Sequence, residues 1–133
     1  MATESTSELS RRIAEAVEAL RPDLLEVASG LLRIPSVNPS FPGQEPGTPR
    51  DGELRANQYF AQACRQPGWQ VDLWEQAPGR GNLVAVMPAR GSGGRSLILN
   101  GHIDTVPPGA HDRWRGGDPF SGKVDDGYLH GLG

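Results

Sequence analysis

His102 and Asp104 are the residues whose types and spacing could do chemistry. A neutral imidazole can bind a metal through one ring nitrogen while the other donates a hydrogen bond to a carboxylate, which fixes the tautomer and raises the basicity of the ligand. On an extended segment, residues two apart point to the same side, with Cβ atoms about 7 Å apart, so a direct bond between these two side chains requires a bend. Val106, Pro107, Pro108 and Gly109 follow at once and can supply it. Spacing alone also admits a plainer arrangement, in which His102 is satisfied by a neighbouring loop and Asp104 caps a turn.

Other reactive side chains fit structural roles better. Cys64 is the only cysteine, so no intrachain disulfide forms, as suits a reducing compartment. It falls on the apolar side of a helical pattern and reads as a small buried hydrophobe. Ser36 lies in a Ser-Val-Asn-Pro turn with no Gly-x-Ser-x-Gly elbow around it. The run Arg90-Gly-Ser-Gly-Gly-Arg95 lacks the Lys-Ser or Lys-Thr and the following helix of a phosphate loop, and reads as a hairpin loop. His111 sits in an irregular loop over residues 107–117 and reads as solvated.

Composition narrows the function classes. With 133 residues there is enough chain for one domain with a core. The net charge of −3 argues against nucleic acid and against an anionic membrane surface as partners. No apolar run approaches the roughly 20 residues of a membrane span. Residues 1–8 have neither a basic nor an apolar stretch, so they do not read as a secretory signal, and a cytoplasmic location is expected.

The elements that must position His102 and Asp104 follow from periodicity. Ser5 and Glu8 form a capping box, and Leu9, Ile13, Val17 and Leu20 make one helical stripe. Pro22 opens a second helix, with Leu24, Val27, Ala28, Leu31 and Leu32 inward and Pro35 beyond its end. Glu15, Glu18, Asp23 and Glu26 fall on solvated faces. Residues 40–49, rich in Pro and Gly, read as an exposed loop. Thr48 as N-cap and Pro49 at the first turn predict a third helix, packing through Leu54, Ala56, Tyr59, Phe60, Ala63 and Cys64 and stopped by Pro67-Gly68. Trp69, Val71 and Leu73 alternate with polar residues as a half-buried strand, with Trp69 and Trp74 as packing residues. Residues 82–87 predict a strand apolar on both faces. Leu97, Ile98 and Leu99 predict the buried strand that delivers His102 and Asp104 at its carboxyl end, where open α/β sheets place ligands. Residues 118–122 read as a turn with one buried aromatic, and residues 123–130 as a short hairpin around Asp126-Gly127. Helices come from the first half of the chain and strands from the second.

Residues 97–109, Leu-Ile-Leu-Asn-Gly-His-Ile-Asp-Thr-Val-Pro-Pro-Gly, with Trp114, Asp118-Pro-Phe-Ser-Gly122 and Asp126-Gly-Tyr-Leu-His-Gly-Leu-Gly133 after them, resemble the first signature block of a large zinc hydrolase family. The family includes acetylornithine deacetylase, succinyl-diaminopimelate desuccinylase, aminoacylase and glutamate-releasing carboxypeptidases. Four elements in register make the match specific, and the Pro35-Ser-Val-Asn-Pro39 turn adds mild support. The resemblance implies that His102 is a zinc ligand and that Asp104 is the active-site acid holding it. It implies an α/β fold: the N-terminal part of a three-layer α/β/α catalytic domain with a mixed sheet, cut before the sheet is complete, residues 1–133 lacking the lid and dimerisation domain. It implies two zincs per complete site, with cobalt or manganese also compatible, an N-acyl amino acid or short peptide as substrate, and homodimers among complete members. The bridging aspartate would fall three residues beyond Gly133, and the catalytic glutamate and the other ligands further on. His130 stands where the family has an aromatic residue and Leu132 where it has Arg, which puts the final turn in doubt.

These readings lead to a dinuclear zinc hydrolase of amide bonds, of which the 133-residue chain alone is expected to be inactive and marginally stable or self-associating. The alternative is a naturally truncated, non-catalytic product with at most weak metal or partner binding. A third reading, an unrelated α/β domain carrying a chance His-x-Asp, would leave zinc affinity indifferent to His102.

Overall fold

The computed structural model describes residues 5–44, 47–91, 94–115 and 117–133. Parts of four readings fall outside these residues: the opening of the N-terminus (1–4), the loop at 45–46, the glycine run at 92–93 and position 116 of the loop after the site.

Three helices come first: α1 (Thr6–Ala19), α2 (Arg21–Leu32) and α3 (Gly52–Cys64). The Ser5 side chain accepts from the Glu8 backbone N–H at 3.3 Å, so the expected cap of α1 forms. Pro22 occupies the first turn of α2, where its missing N–H costs nothing. The stripe of α1 does not find a core, because Leu9, Ile13, Val17 and Leu20 are all exposed. Of the inner face expected for α2, Leu24 is exposed and the others are half-buried, and the helix's buried residue is Ser29.

Helix α3 starts later than Thr48 predicts. Its N-cap is Asp51, which makes no side-chain cap bond. The Gly79 carbonyl instead accepts the Leu54 N–H at 3.1 Å, so a tertiary contact satisfies a donor that a capping side chain would otherwise take. The start is fixed by Gly52, which lies so close to the Pro35 carbonyl that a Cβ there would collide with it. Ala56 and Cys64 are buried as expected, but Phe60 is exposed, and Glu53 and Asn57 are buried instead. Asn57 earns its place by donating to the carbonyls of Glu53 (3.1 Å) and Gly81 (2.9 Å).

Strands β1 (Gln70–Ala77) and β2 (Arg80–Val86) pair antiparallel, with Val71 opposite Ala85, Leu73 opposite Leu83, and a register shift between Glu75 and Ala77. Their inner face packs on α3. The outer face, with Trp74, Val84 and Val86, is exposed, so β2 is covered on one side only. Strands β3 (Lys123–Asp125) and β4 (Tyr128–His130) form the predicted hairpin. Asp126 and Gly127 both have positive φ, 49° and 77°, as a two-residue hairpin turn requires. This hairpin is tied to α2 by Ser29 Oγ donating to the Gly122 carbonyl and by Arg33 Nε donating to the Ser121 carbonyl. Pro119, rather than Phe120, is the fully buried residue of the preceding turn.

Among the described residues the architecture is thus mixed α/β, helices first and strands second, with two separate antiparallel sheets. The buried strand expected at 97–99 is corrected. Leu97, Ile98 and Leu99 form no strand and are 81, 86 and 88 % exposed. Burial of a strand is supplied by neighbours on both sides, and among the described residues none pairs with 97–99. No helix among the described residues is long and apolar enough to cross a membrane.

Candidate metal-ligand site

Residues 36–38 position the segment that carries His102 and Asp104. Val37, which is buried, forms a parallel bridge with Thr105. The Thr105 N–H donates to the Ser36 carbonyl at 3.0 Å and the Asn38 N–H to the Thr105 carbonyl at 2.9 Å. Ser36 Oγ adds a bond of 2.7 Å to the Ile103 carbonyl. Ser36 is thus buried and structural, as its turn context suggested.

This clamp holds the chain where it bends. His102 Nδ1 lies 3.1 Å from Asp104 Oδ1 and 3.0 Å from the Asp104 carbonyl oxygen. The direct imidazole–carboxylate contact therefore forms, and the plainer reading, with His102 satisfied elsewhere, does not describe the structure. A carboxylate and a carbonyl are both acceptors, so the shared proton belongs on Nδ1 and the lone pair on Nε2 is left free. The His102 side chain is 85 % exposed and that of Asp104 only 27 %. The acid is seated while the imidazole faces solvent.

Asp104 is held from behind. Asn38 Nδ2 donates to Asp104 Oδ2 at 2.8 Å. Asn38 Oδ1 accepts from the Ser40 N–H at 2.9 Å and from Arg80 Nη1 at 3.4 Å. Arg80 Nε in turn donates to Glu53 Oε2 at 3.2 Å. Burial pushes the Asp104 carboxyl up, but hydrogen bonds from Asn38 and His102 outweigh it and hold it below the usual carboxylate range. Glu53 goes the other way. Burial raises it, Arg80 opposes that, and the nearby Asp104 charge raises it further. Its Oε1 is buried without a hydrogen-bond partner.

Asn38, Arg80 and Glu53 escape a reading of local pattern. The only signal was the Ser36-Val-Asn-Pro39 turn, which holds Asn38 but says nothing of its partner 66 residues away. His111 starts a short 3-10 turn (His111–Arg113) and lines a cavity of about 270 Å³ with Val37, Pro107, Pro108 and Phe120. Cys64 is buried, and burial raises its thiol pKa. Among the described residues no group of three or more His, Cys, Asp or Glu side chains is placed to hold a metal ion. His102 with Asp104 behind it suits one position of a zinc site but does not make a complete one.

Comparison with known proteins bears on the same stretch. Residues 98–133 match the peptidase family M20/M25/M40. The chain is 38 % identical over 113 residues to a succinyl-diaminopimelate desuccinylase of Methylobacterium sp. strain 4-46, covering 84 % of this chain and 25 % of that one. It is 32 % identical over 118 residues to an N-formyl-4-amino-5-aminomethyl-2-methylpyrimidine deformylase of Halalkalibacterium halodurans, covering 88 % and 25 %. A desuccinylase of Rhodopseudomonas palustris is 34 % identical over 113 residues, covering 84 % and 26 %. The chain spans about a quarter of the length of these relatives. No solved structure matches it. The ordered match over the segment that carries His102 and Asp104, together with these relatives, places the chain in the peptidase family M20/M25/M40.

Proposed function

We propose that the chain supplies one metal ligand, His102, and its orienting acid, Asp104, to a metal-dependent hydrolase of amide bonds. The single observation that carries this reading is the His102 Nδ1–Asp104 Oδ1 contact of 3.1 Å, which leaves Nε2 free beside solvent. Zinc is the metal that this donor set favours by family resemblance, two ions per complete site, and cobalt and manganese suit it too. A bound metal of this kind supplies Lewis acidity toward the scissile carbonyl and acidifies a water. Asp104 keeps the His102 proton on Nδ1 and holds the ring, and the clamp of residues 36–38 on 103–105 fixes both.

The substrate class is an N-acyl compound, an acylated amino acid or short peptide. Two relatives are named for removing different acyl groups, succinyl and formyl, which supports cleavage of an N-acyl amide and leaves the acyl group open. In this reading residues 1–133 are the N-terminal part of a three-layer α/β/α catalytic domain, and the lid domain through which complete members dimerise lies elsewhere. The location is cytoplasmic. The chain by itself binds zinc weakly and hydrolyses nothing, because one His and its acid fall short of the three protein ligands of a catalytic zinc.

Zinc titration of the chain and of its His102→Ala variant tests the reading. Weak binding that His102→Ala abolishes is the expected result. Equal affinity in the two would sink the assignment of His102, and robust chelator-sensitive release of an acyl group by the chain alone would sink the claim of inactivity.

A further inference from the structure

Asn38 stands at the junction of everything that holds Asp104. Its backbone is fixed by the parallel bridge, its N–H donating to the Thr105 carbonyl at 2.9 Å. Its carbonyl accepts from Gln44 Nε2 at 2.6 Å. The orientation of its amide is also determined. Oδ1 faces two donors, the Ser40 N–H and Arg80 Nη1, and an N–H group there would meet both head-on. The amide nitrogen is therefore the atom turned to Asp104 Oδ2, at 2.8 Å. Arg80 cannot swing away freely, because its Nε is engaged by Glu53, a side chain 9 % exposed on the first turn of α3.

We propose that Asn38, backed by Arg80 and Glu53, is a positioning residue that acts on His102 through Asp104. By donating to Oδ2 it orients the carboxylate so that Oδ1 meets the imidazole Nδ1–H, and so selects the tautomer whose Nε2 is free. The inference rests on the reading of His102 as a metal ligand for its purpose, but not for its geometry. The His102–Asp104 pair alone does not fix the carboxylate, since Asp104 can rotate about its side-chain torsions. The long-range donor removes that freedom. Partners beyond the ligand are known to set ligand orientation and basicity in metal sites.

The test compares wild-type protein with Asn38→Ala and Asn38→Asp. The aspartate is isosteric and retains an acceptor for Ser40 and Arg80, so it keeps the turn folded while replacing the donor that faces Asp104. Long-range proton–nitrogen NMR of His102 in the metal-free protein reads the tautomer, and zinc titration reads affinity. The expected result is a single tautomer, protonated on Nδ1, in the wild type and a measurable share of the other tautomer in both variants, where the Asp104 carbonyl at 3.0 Å is the acceptor that still favours Nδ1–H. Asn38→Ala should weaken zinc binding about 3–10-fold, less than the roughly 10–100-fold that loss of a ligand's direct partner costs. In an Asp104→Ala background the same substitution should change affinity less than about twofold, because coupled residues are not additive. An unchanged tautomer in both variants, or an equal loss of affinity with and without Asp104, would overturn the proposal and leave Asn38 a merely structural residue. Zinc binding indifferent to His102→Ala, with the tautomer still dependent on Asn38, would instead overturn the metal reading and uphold the positioning role.

Discussion

Two carboxylates near the site titrate in opposite senses, and their pH signatures should separate. Asp104 is held below its ordinary value, so its contribution to stability is full above the unfolded carboxyl value of about 3.9 and is lost as pH falls through its depressed folded value. Glu53 is raised by burial, so its contribution is full below about 4.3 and is lost as pH rises through its elevated folded value. Glu53→Gln should therefore remove a fall in melting temperature on raising the pH from about 4 toward neutrality, while keeping an acceptor for Arg80. Melting curves across that range check this, and an unchanged slope would show that Glu53 is not the source. Asp104→Asn keeps the shape of the side chain but loses the charge facing His102. Zinc affinity should drop about 10–100-fold by titration calorimetry. His102 and Asp104 were legible in the sequence because they are two residues apart. Their support was not, because Asn38, Glu53 and Arg80 reach the site from separate parts of the chain.

At the scale of elements, local signals fared well where the structure is local. The Ser5 cap, Pro22 in the first turn of α2 and the Asp126-Gly127 turn are each decided within a few residues. The start of α3 was misplaced for the opposite reason. Thr48 and Pro49 form a good local start, but contact with Pro35 and Gly79 decides where the helix begins. Gly52→Ala tests that contact. Its Cβ would meet the Pro35 carbonyl, a backbone atom that cannot step aside cheaply, and the variant should lose about 1–3 kcal/mol of stability, as overpacking does. Chemical denaturation measures this directly. A loss confined to the few tenths expected of an exposed site would mean that α3 docks less tightly than described. The same reasoning explains Glu53 and Asn57. Their positions on α3 look polar and solvated by pattern, and only β2 lying over them makes them buried.

Across the whole molecule, the apolar surface left uncovered is the dominant feature. Residues 97–99, the stripe of α1, and Val84 and Val86 on the outer face of the β1–β2 hairpin all face solvent. The sequence marks these positions as apolar, but it cannot say from within the chain what covers them. Exposed edges with apolar side chains favour pairing with other chains. The chain should thus show a concentration-dependent mass in light scattering, and Ile98→Lys should shift it toward the monomer. A monodisperse monomer with a sharp cooperative melt would contradict this. Because 97–99 lead directly into His102, association through them would also crowd the imidazole, so zinc affinity should fall as chain concentration rises in the wild type but not in Ile98→Lys.

The clamp between residues 36–38 and 103–105 has a consequence in time. The Asn38–Asp104 bond joins side chains 66 residues apart. At about 5–20 residues per second, a ribosome needs roughly 3–13 s to deliver Asp104 after Asn38 has been made. For that interval Ser36, Val37 and Asn38 lack their partners at 103–105, although α1 and α2 are already complete ahead of them. Once Thr105 emerges, closing so long a loop costs only slightly more entropy than closing one half its length, about 0.6 kcal/mol. The order of synthesis thus places the His102 site after the three helices and the β1–β2 hairpin.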